Sequence, residues 1–233
     1  MLGVDDFVVR DRALYLQSTE TLVVADLHLG REATANVSAP LGERSDLLGR
    51  LSTLRSVFKP TRIVFAGDLL HSFSTVPAGV GETVAKLYQD CVDDGVDVVA
   101  IEGNHDQLLD SVWPGSVESV VKLDDHTVIC HGHEEPTQRG KRYLIGHDHP
   151  AITIEGVKRP CFCVDPVGYC DTQLVVLPAF TRLAGGVELN HLRADALQSP
   201  LISSVDSLQP IVWDPTDEKT LQFPPLGEFR RLL

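Results

Sequence analysis

A chain of 233 residues, 43% of them hydrophobic, is long and apolar enough to bury a sizeable core, which suits one domain spanning 1–233. The formal net charge of −13 argues against a broad, non-specific grip on nucleic acid, which needs clustered Lys and Arg. No apolar run is as long as a membrane span, and Met1–Arg10 lacks the basic-then-apolar order of a signal peptide, so the expected compartment is cytoplasmic and no membrane partner is expected. The excess of Asp over Glu and of Arg over Lys fits both a surface evolved for high salt and an ordinary acidic enzyme. The five cysteines, Cys91, Cys130, Cys161, Cys163 and Cys170, are odd in number and read as free thiols. Cys161-Phe162-Cys163 lacks the matched second pair of a zinc site and instead alternates as two residues on one face of a strand.

In chain order, Phe7–Arg10 and Ala13–Gln17 read as two short strands around the Arg10-Asp11-Arg12 turn. Thr21–Ala25 is an unbroken apolar run ending at Asp26, the signature of a buried strand. Leu47, Leu48, Leu51, Leu54, Val57 and Phe58 recur at helical spacing and predict a helix that stops before Pro60. Arg62–Ala66 is the next strand. Val80, Val84, Leu87, Tyr88 and Cys91 mark a second helix closing near Gly95, and Val96–Ile101 a third strand. Strand, loop, helix in repetition predicts parallel strands, with sites beyond their carboxyl ends. Beyond about residue 115 the texture becomes β-rich: Val117–Leu123, Thr127–Cys130, Tyr143–Ile145, Ile152–Glu155, Phe162–Val164, Leu174–Leu177 and Ile211–Trp213 are short apolar runs separated by turns. They predict a second sheet packed on the first, an α/β sandwich with helices outside. Leu192–Leu208 fits a loop with helical turns.

Five blocks interrupt this pattern, each after an apolar run: Asp26-Leu27-His28, Gly67-Asp68, Gly103-Asn104-His105-Asp106, His131-Gly132-His133 and Gly146-His147-Asp148-His149. Carboxylate, amide and imidazole groups gathered at the ends of neighbouring strands are what a pair of divalent cations needs. Holding two cations about 3.5–4 Å apart requires a bridging anion, and Asp68, alone in its block, is the natural bridge. In an extended Gly-His-x-His segment, His147 and His149 would lie on one side and reach adjacent ions. His105 follows Asn104 directly and points elsewhere, and Asp106 is placed to orient it and raise its pKa. His133 is expected behind the ligands or at the rim, and His71, His126 and His191 as structural or solvated residues.

The five blocks, in this order, resemble the calcineurin-like metallophosphoesterases. The resemblance implies two mixed sheets face to face with helices outside and metals at one rim. It implies that Asp26, His28, Asp68 and His149 hold one metal ion and Asp68, Asn104, His131 and His147 a second, with His105 contacting the phosphoryl group or protonating the leaving oxygen. The nucleophile would be a metal-bridging hydroxide. The donor set, free of thiolate, fits manganese, iron or zinc, with manganese the first choice.

Two further blocks narrow the resemblance. Asp26-Leu27-His28-Leu29-Gly30-Arg31-Glu32 extends the first motif, and Pro178-Ala179-Phe180-Thr181 followed by Leu183-Ala184-Gly185-Gly186 is similar to a signature of archaeal phosphoesterases related to the nuclease subunit SbcD and of bacterial phosphoesterases found beside DNA ligases. The branch often carries Asn where Thr181 stands. Leu183–Gly186 reads as a tight turn first and a loop under the site second. The branch implies phosphodiester hydrolysis, with a DNA or RNA nuclease as its sharpest form. Arg139, Lys141, Arg142, Lys158 and Arg159 form a candidate basic stretch that would steer a phosphate backbone, against a background reading of solvated charge. Two alternatives stay open: a phosphomonoesterase acting on a small metabolite or phosphoprotein, and an inactive binding scaffold of the same fold. The expected partner is a phosphate ester, nucleic acid included, and the oligomeric state is not legible.

Overall fold

In the computed structural model, which describes residues 6–31, 42–71, 75–192 and 197–231, the chain opens with a hairpin of β1 (Phe7–Arg10) and β2 (Ala13–Leu16), turning at a left-handed Asp11 with φ +56°. β3 (Thr21–Val24) pairs antiparallel with β2. β4 (Arg62–Ala66), β5 (Asp97–Ile101) and β6 (Val117–Glu118) then add in parallel, in the order of the chain. The strands are parallel because long connections, two of them helices, return the chain to the same end of the sheet. These are α1 (Gly42–Phe58) and α2 (Val80–Asp93). α1 stops as Lys59 turns left-handed, at φ +47°, before Pro60. α2 closes at Gly95, whose φ of +76° allows its N–H to reach the Val92 carbonyl.

Leu47, Leu51 and Leu54 of α1 and Val80, Val84, Leu87 and Cys91 of α2 recur at one-turn intervals and pack on Leu22, Val24, Ile63 and Phe65 of the sheet. The alternate residues Val23, Ala25, Val64 and Ala66 face the other way into a second core. Both faces of β3 are covered, which is why its sequence is apolar throughout rather than alternating.

The second sheet has seven strands among the described residues. In spatial order they are β16 (Lys219–Gln222), β15 (Gln209–Asp214), β12 (Phe162–Asp165), β13 (Gln173–Val176), β9 (Arg142–Ile145), β8 (Thr127–Cys130) and β7 (Val120–Lys122). It is mixed: β8, β9 and β13 run parallel, the rest antiparallel. Its inner face presents Ile129, Leu144, Phe162, Val164 and Val175 to Val23 and Val64 of the first sheet. Its outer face, with Tyr143, Ile145, Cys161 and Cys163, is covered by Leu201, Leu208, the short α3 (Leu226–Phe229) and a three-stranded sheet of β11 (Val157–Pro160), β10 (Pro150–Ile154) and β14 (Val187–Glu188). The two mixed sheets face each other with helices outside, as expected, but Ile152–Glu155, expected in the second sheet, falls on β10 of the three-stranded sheet instead. Cys161 and Cys163 are buried on one face, their sulfurs 3.8 Å apart, and all five cysteines are free thiols.

The sequence-based reading needs correction at the run Val117–Leu123. It is not one strand: β6 closes the first sheet, the chain crosses at Ser119, and β7 opens the edge of the second. Apolar patterning marks a strand but not which sheet each half joins. β11, β14 and β16 escaped notice because they are short and mostly polar. The segment 192–208 is built of turns where described, with 193–196 outside the described residues. No helix among the described residues is long and apolar enough to cross a membrane.

Leu144, fully buried between the sheets, tests this packing. Leu144→Ala should lower the unfolding free energy by about 2–5 kcal/mol in urea titration. A loss under about 1 kcal/mol would contradict a close-packed interface there.

Candidate metal centre

Asp26 stands just beyond β3, Asp68 just beyond β4, and Asn104 and His105 just beyond β5, so the parallel order of the strands lines these groups along one edge of the first sheet. His131 follows β8 and His147 and His149 follow β9, which brings them in from the second sheet. The loops are joined beyond the strands. Asp26 N–H donates to the Gly67 carbonyl at 3.0 Å, His28 N–H to the Asp68 carbonyl at 2.9 Å, and Thr181 N–H to the Asp26 carbonyl at 3.3 Å. Asp26, His28, Asp68, His147 and His149 all have positive φ, between +46° and +71°, a conformation that few non-glycine residues adopt.

Two groups of donors result. In the first, His28 Nε2 lies 3.1 Å from His149 Nε2, His149 Nε2 lies 3.2 Å from Asp26 Oδ1, and His28 Nε2 lies 3.8 Å from Asp68 Oδ2. In the second, His131 Nε2 lies 3.1 Å from Asn104 Oδ1, 3.3 Å from His147 Nδ1 and 3.4 Å from Asp68 Oδ1. Ligands of one cation stand about 3 Å apart when their bonds are about 2.1 Å long. Asp68 turns one oxygen to each group. His131 is held in register by its other nitrogen, 3.1 Å from the Ala66 carbonyl, which leaves Nε2 for the centre. Gly67 is required here: its φ is +85°, and a Cβ would run into the His131 ring. Gly103 is required for space, since its missing side chain lets Asp68 lie against its backbone.

The electrostatics fit divalent cations. Asp26 and Asp68 are both buried. Burial, and then the charge of Asp26, pushes Asp68 up to about 8. Burial opposes ionisation of Asp26 too, but His149, His131 and His28 beside it hold its pKa below the ordinary value. Burial lowers His28 to about 3 and His131 to about 4, so these rings are neutral and their lone pairs are available as ligands. Two crowded buried carboxylates ringed by neutral imidazoles are a low-energy arrangement when positive charge lies between them.

Four expectations change in the structure. Asp106 does not orient the His105 ring. Its buried carboxylate accepts N–H groups from Leu69 at 3.1 Å, Leu70 at 2.7 Å and Gly103 at 3.0 Å, clamping the Asp68 loop to the Asn104 loop. Nor is His105 raised: burial, then the neighbouring His149 and His147, lowers it. The Gly146–His149 segment is not extended. Its two histidines reach adjacent donor groups because both are left-handed, while Asp148 between them turns away to accept N–H groups from Gln198 and Ser199. Arg142 is buried against Asp6 and Gln173, so it leaves the proposed basic stretch.

His71, expected to be structural, lines the site. Its Nδ1 lies 3.3 Å from His28 Nδ1, and its ring stacks on His105 with centroids 5.3 Å apart. Together with Arg31 and Gln198 it walls an open hollow of about 330 Å³ over the donor groups. The signal for His71 was its place three residues after Asp68; nothing in the sequence linked Gln198 to the site. His133 stands behind the second group, its ring 5.3 Å from that of His131, and His126 and His191 are exposed.

The calcineurin-like phosphoesterase profile matches residues 20–160, most of the chain and all five ligand blocks. The chain belongs to this family and is a metal-dependent phosphoric ester hydrolase. Among solved structures it is similar to the Pseudomonas putida nuclease MPE, with 23% identity, a TM-score of 0.63, and coverage of 91% of this chain and 92% of that one. The Escherichia coli phosphoesterase YfcE matches at 14% identity and a TM-score of 0.46, over 88% of this chain and 98% of its own. No curated protein matches significantly.

Asp106→Ala orphans three buried N–H groups at roughly 1 kcal/mol or more each. It should destabilise the fold by about 3 kcal/mol in denaturant titration and reduce metal content measured by mass spectrometry. Wild-type values for both would refute the clamp.

Proposed function

We propose that the protein hydrolyses phosphodiesters with two divalent cations, one held by Asp26, His28, Asp68 and His149, the other by Asp68, Asn104, His131 and His147. The observation that carries this reading is Asp68, whose Oδ2 faces His28 and whose Oδ1 faces His131. Cations bound there supply Lewis acidity to water and to the phosphoryl oxygens. Oxygen and nitrogen donors without thiolate suit manganese first, with iron and zinc as the alternatives.

The chain's own groups do the rest. The N–H of His105 donates to Asp68 Oδ1 at 2.9 Å and fixes the bridging carboxylate. Its ring stands at the open rim, Nε2 3.9 Å from Asp68 Oδ2, supported by the His71 ring. From there it contacts the phosphoryl group and gives a proton to the departing oxygen; the anionic substrate favours the protonated ring that this step uses. Arg31, in the same hollow, adds a fixed positive charge toward non-bridging oxygens. His71 contacts His28 Nδ1, which would leave His28 Nε2 available to hold the first cation. The choice of a diester is supported by the branch motifs and by the fold shared with a protein described as a nuclease.

With manganese added, bis-p-nitrophenyl phosphate should be hydrolysed faster than p-nitrophenyl phosphate. The reverse preference would replace the diesterase reading with the monoesterase one. Asp68→Ala should abolish both reactions and the binding of the second metal equivalent, with circular dichroism unchanged; persistent turnover would remove the bridge. His105→Ala should keep wild-type metal content and lower kcat by about 10²–10⁴-fold, with the larger loss on substrates with poor leaving groups.

A further inference from the structure

A basic groove runs from the metal centre across the face formed by the β1–β2 turn, α1 and β11. Its inner part, a hollow of about 210 Å³, is lined by the metal-site residue His149 together with Arg12, Lys158 and Arg182. Its outer part, about 440 Å³, shares those three cations and adds Arg10, Arg50 and Arg159. Six of the chain's 20 lysines and arginines therefore gather along one track in a protein of net charge −13. Asp11 and Glu218 also line it, Asp46 pairs with Arg182 at 3.1 Å, and Asp214 lies near Arg159, so the cations still outnumber the acids.

Arg50 gives a second, independent observation. Its side chain is only 9% exposed. Nε bonds Asp11 at 2.5 Å, Nη1 bonds the Phe180 carbonyl at 2.8 Å, and the guanidinium lies 4.1 Å over the Phe180 ring. Nη2 is buried with no hydrogen-bond partner among the described residues. An unpaired guanidinium nitrogen is costly to bury, and an anionic oxygen is the group that satisfies it. Arg12, beside it, is lowered to about 10 by burial and then by the charges of Arg50 and Arg182, the mark of cations crowded together. Trp213, with the Arg10 guanidinium 5.1 Å above its ring, adds an aromatic wall to the outer hollow.

We propose that this groove seats the phosphates of a polynucleotide strand whose scissile bond lies at the metal centre, with Arg50 among the cations that line it. The assignment of the occupant rests on the phosphodiesterase reading. His149 lines both the inner hollow and the hollow over the metal centre, which places a strand lying in the groove beside the metals. Repeated cations beside an aromatic ring match a chain of phosphates carrying bases.

Arg50 also ties Asp11 to Phe180, so the test uses the exposed edge strand β11 instead. The variant Lys158→Glu/Arg159→Glu, loaded with manganese, is compared with wild type by fluorescence anisotropy on a phosphorothioate strand of roughly 20 nucleotides. The expected result is an affinity loss of about tenfold or more, with the slope of log affinity against log salt shallower by about 1–1.5. A strand with an uncharged methylphosphonate backbone should bind both proteins weakly and alike. Equal affinity of wild type and variant for the charged strand, or equally tight binding of the uncharged one, overturns the groove. Hydrolysis of bis-p-nitrophenyl phosphate, which is too small to span the groove from the metal centre, is measured in parallel. Failure of the groove with diester turnover intact leaves the phosphodiesterase reading standing. Groove binding without diester turnover in the wild type overturns that reading instead.

Discussion

Two carboxylates buried side by side constrain everything else in the molecule. Asp26 and Asp68 are both buried, and each raises the electrostatic cost of ionising the other. Positive charge between them resolves the conflict, and the surroundings prepare for it: neutral imidazoles on both sides, His131 pinned by the Ala66 carbonyl, and the His147 N–H directed at Asp26 from 3.1 Å. An apolar repacking of this volume would suit stability better, so the arrangement reads as one kept for chemistry.

That arrangement is also strained. Five of the side chains around the centre come from residues with left-handed backbone, each costing of order 1–3 kcal/mol. The strain persists because hydrogen bonds over-determine the loops. The β3 and β4 loops are zipped together past their strands, the Asp106 carboxylate clamps the β5 loop to them, and Asp148 ties the histidine segment to Gln198 and Ser199. The sandwich core beneath is close-packed and supplies the stabilisation that offsets this cost. Donor atoms are thereby held in place before a substrate arrives.

The block Pro178–Gly186 links this centre to the basic groove. Phe180 donates its N–H to the Ala25 carbonyl and sits in the helix-side core, while its own carbonyl and ring hold Arg50. Arg12 donates to the Ala179 and Thr181 carbonyls, and Gly186, at φ +67°, returns the chain toward His149 through the Val187 N–H. Of Leu183–Gly186, only Gly186 takes the positive φ expected of a turn there, and Ala184, Gly185 and Gly186 line the inner hollow with His149.

The chain itself determined which residue types carry the chemistry and the order and approximate positions of the main strands and helices before residue 115, because strand burial and helix amphipathicity leave local periodic marks and ligand blocks follow strand ends. Only the tertiary structure decided how those groups meet. Asp106 looked like a partner for the adjacent His105 but spends its oxygens on backbone some 36 residues away in sequence. Gln198 enters the site through a fold of the chain that no local pattern records, and the cations of the groove come from β1–β2, α1, β11 and the Pro178–Gly186 block. A side chain's neighbours across space are set by packing of separate layers, and local sequence encodes the layers without their contacts.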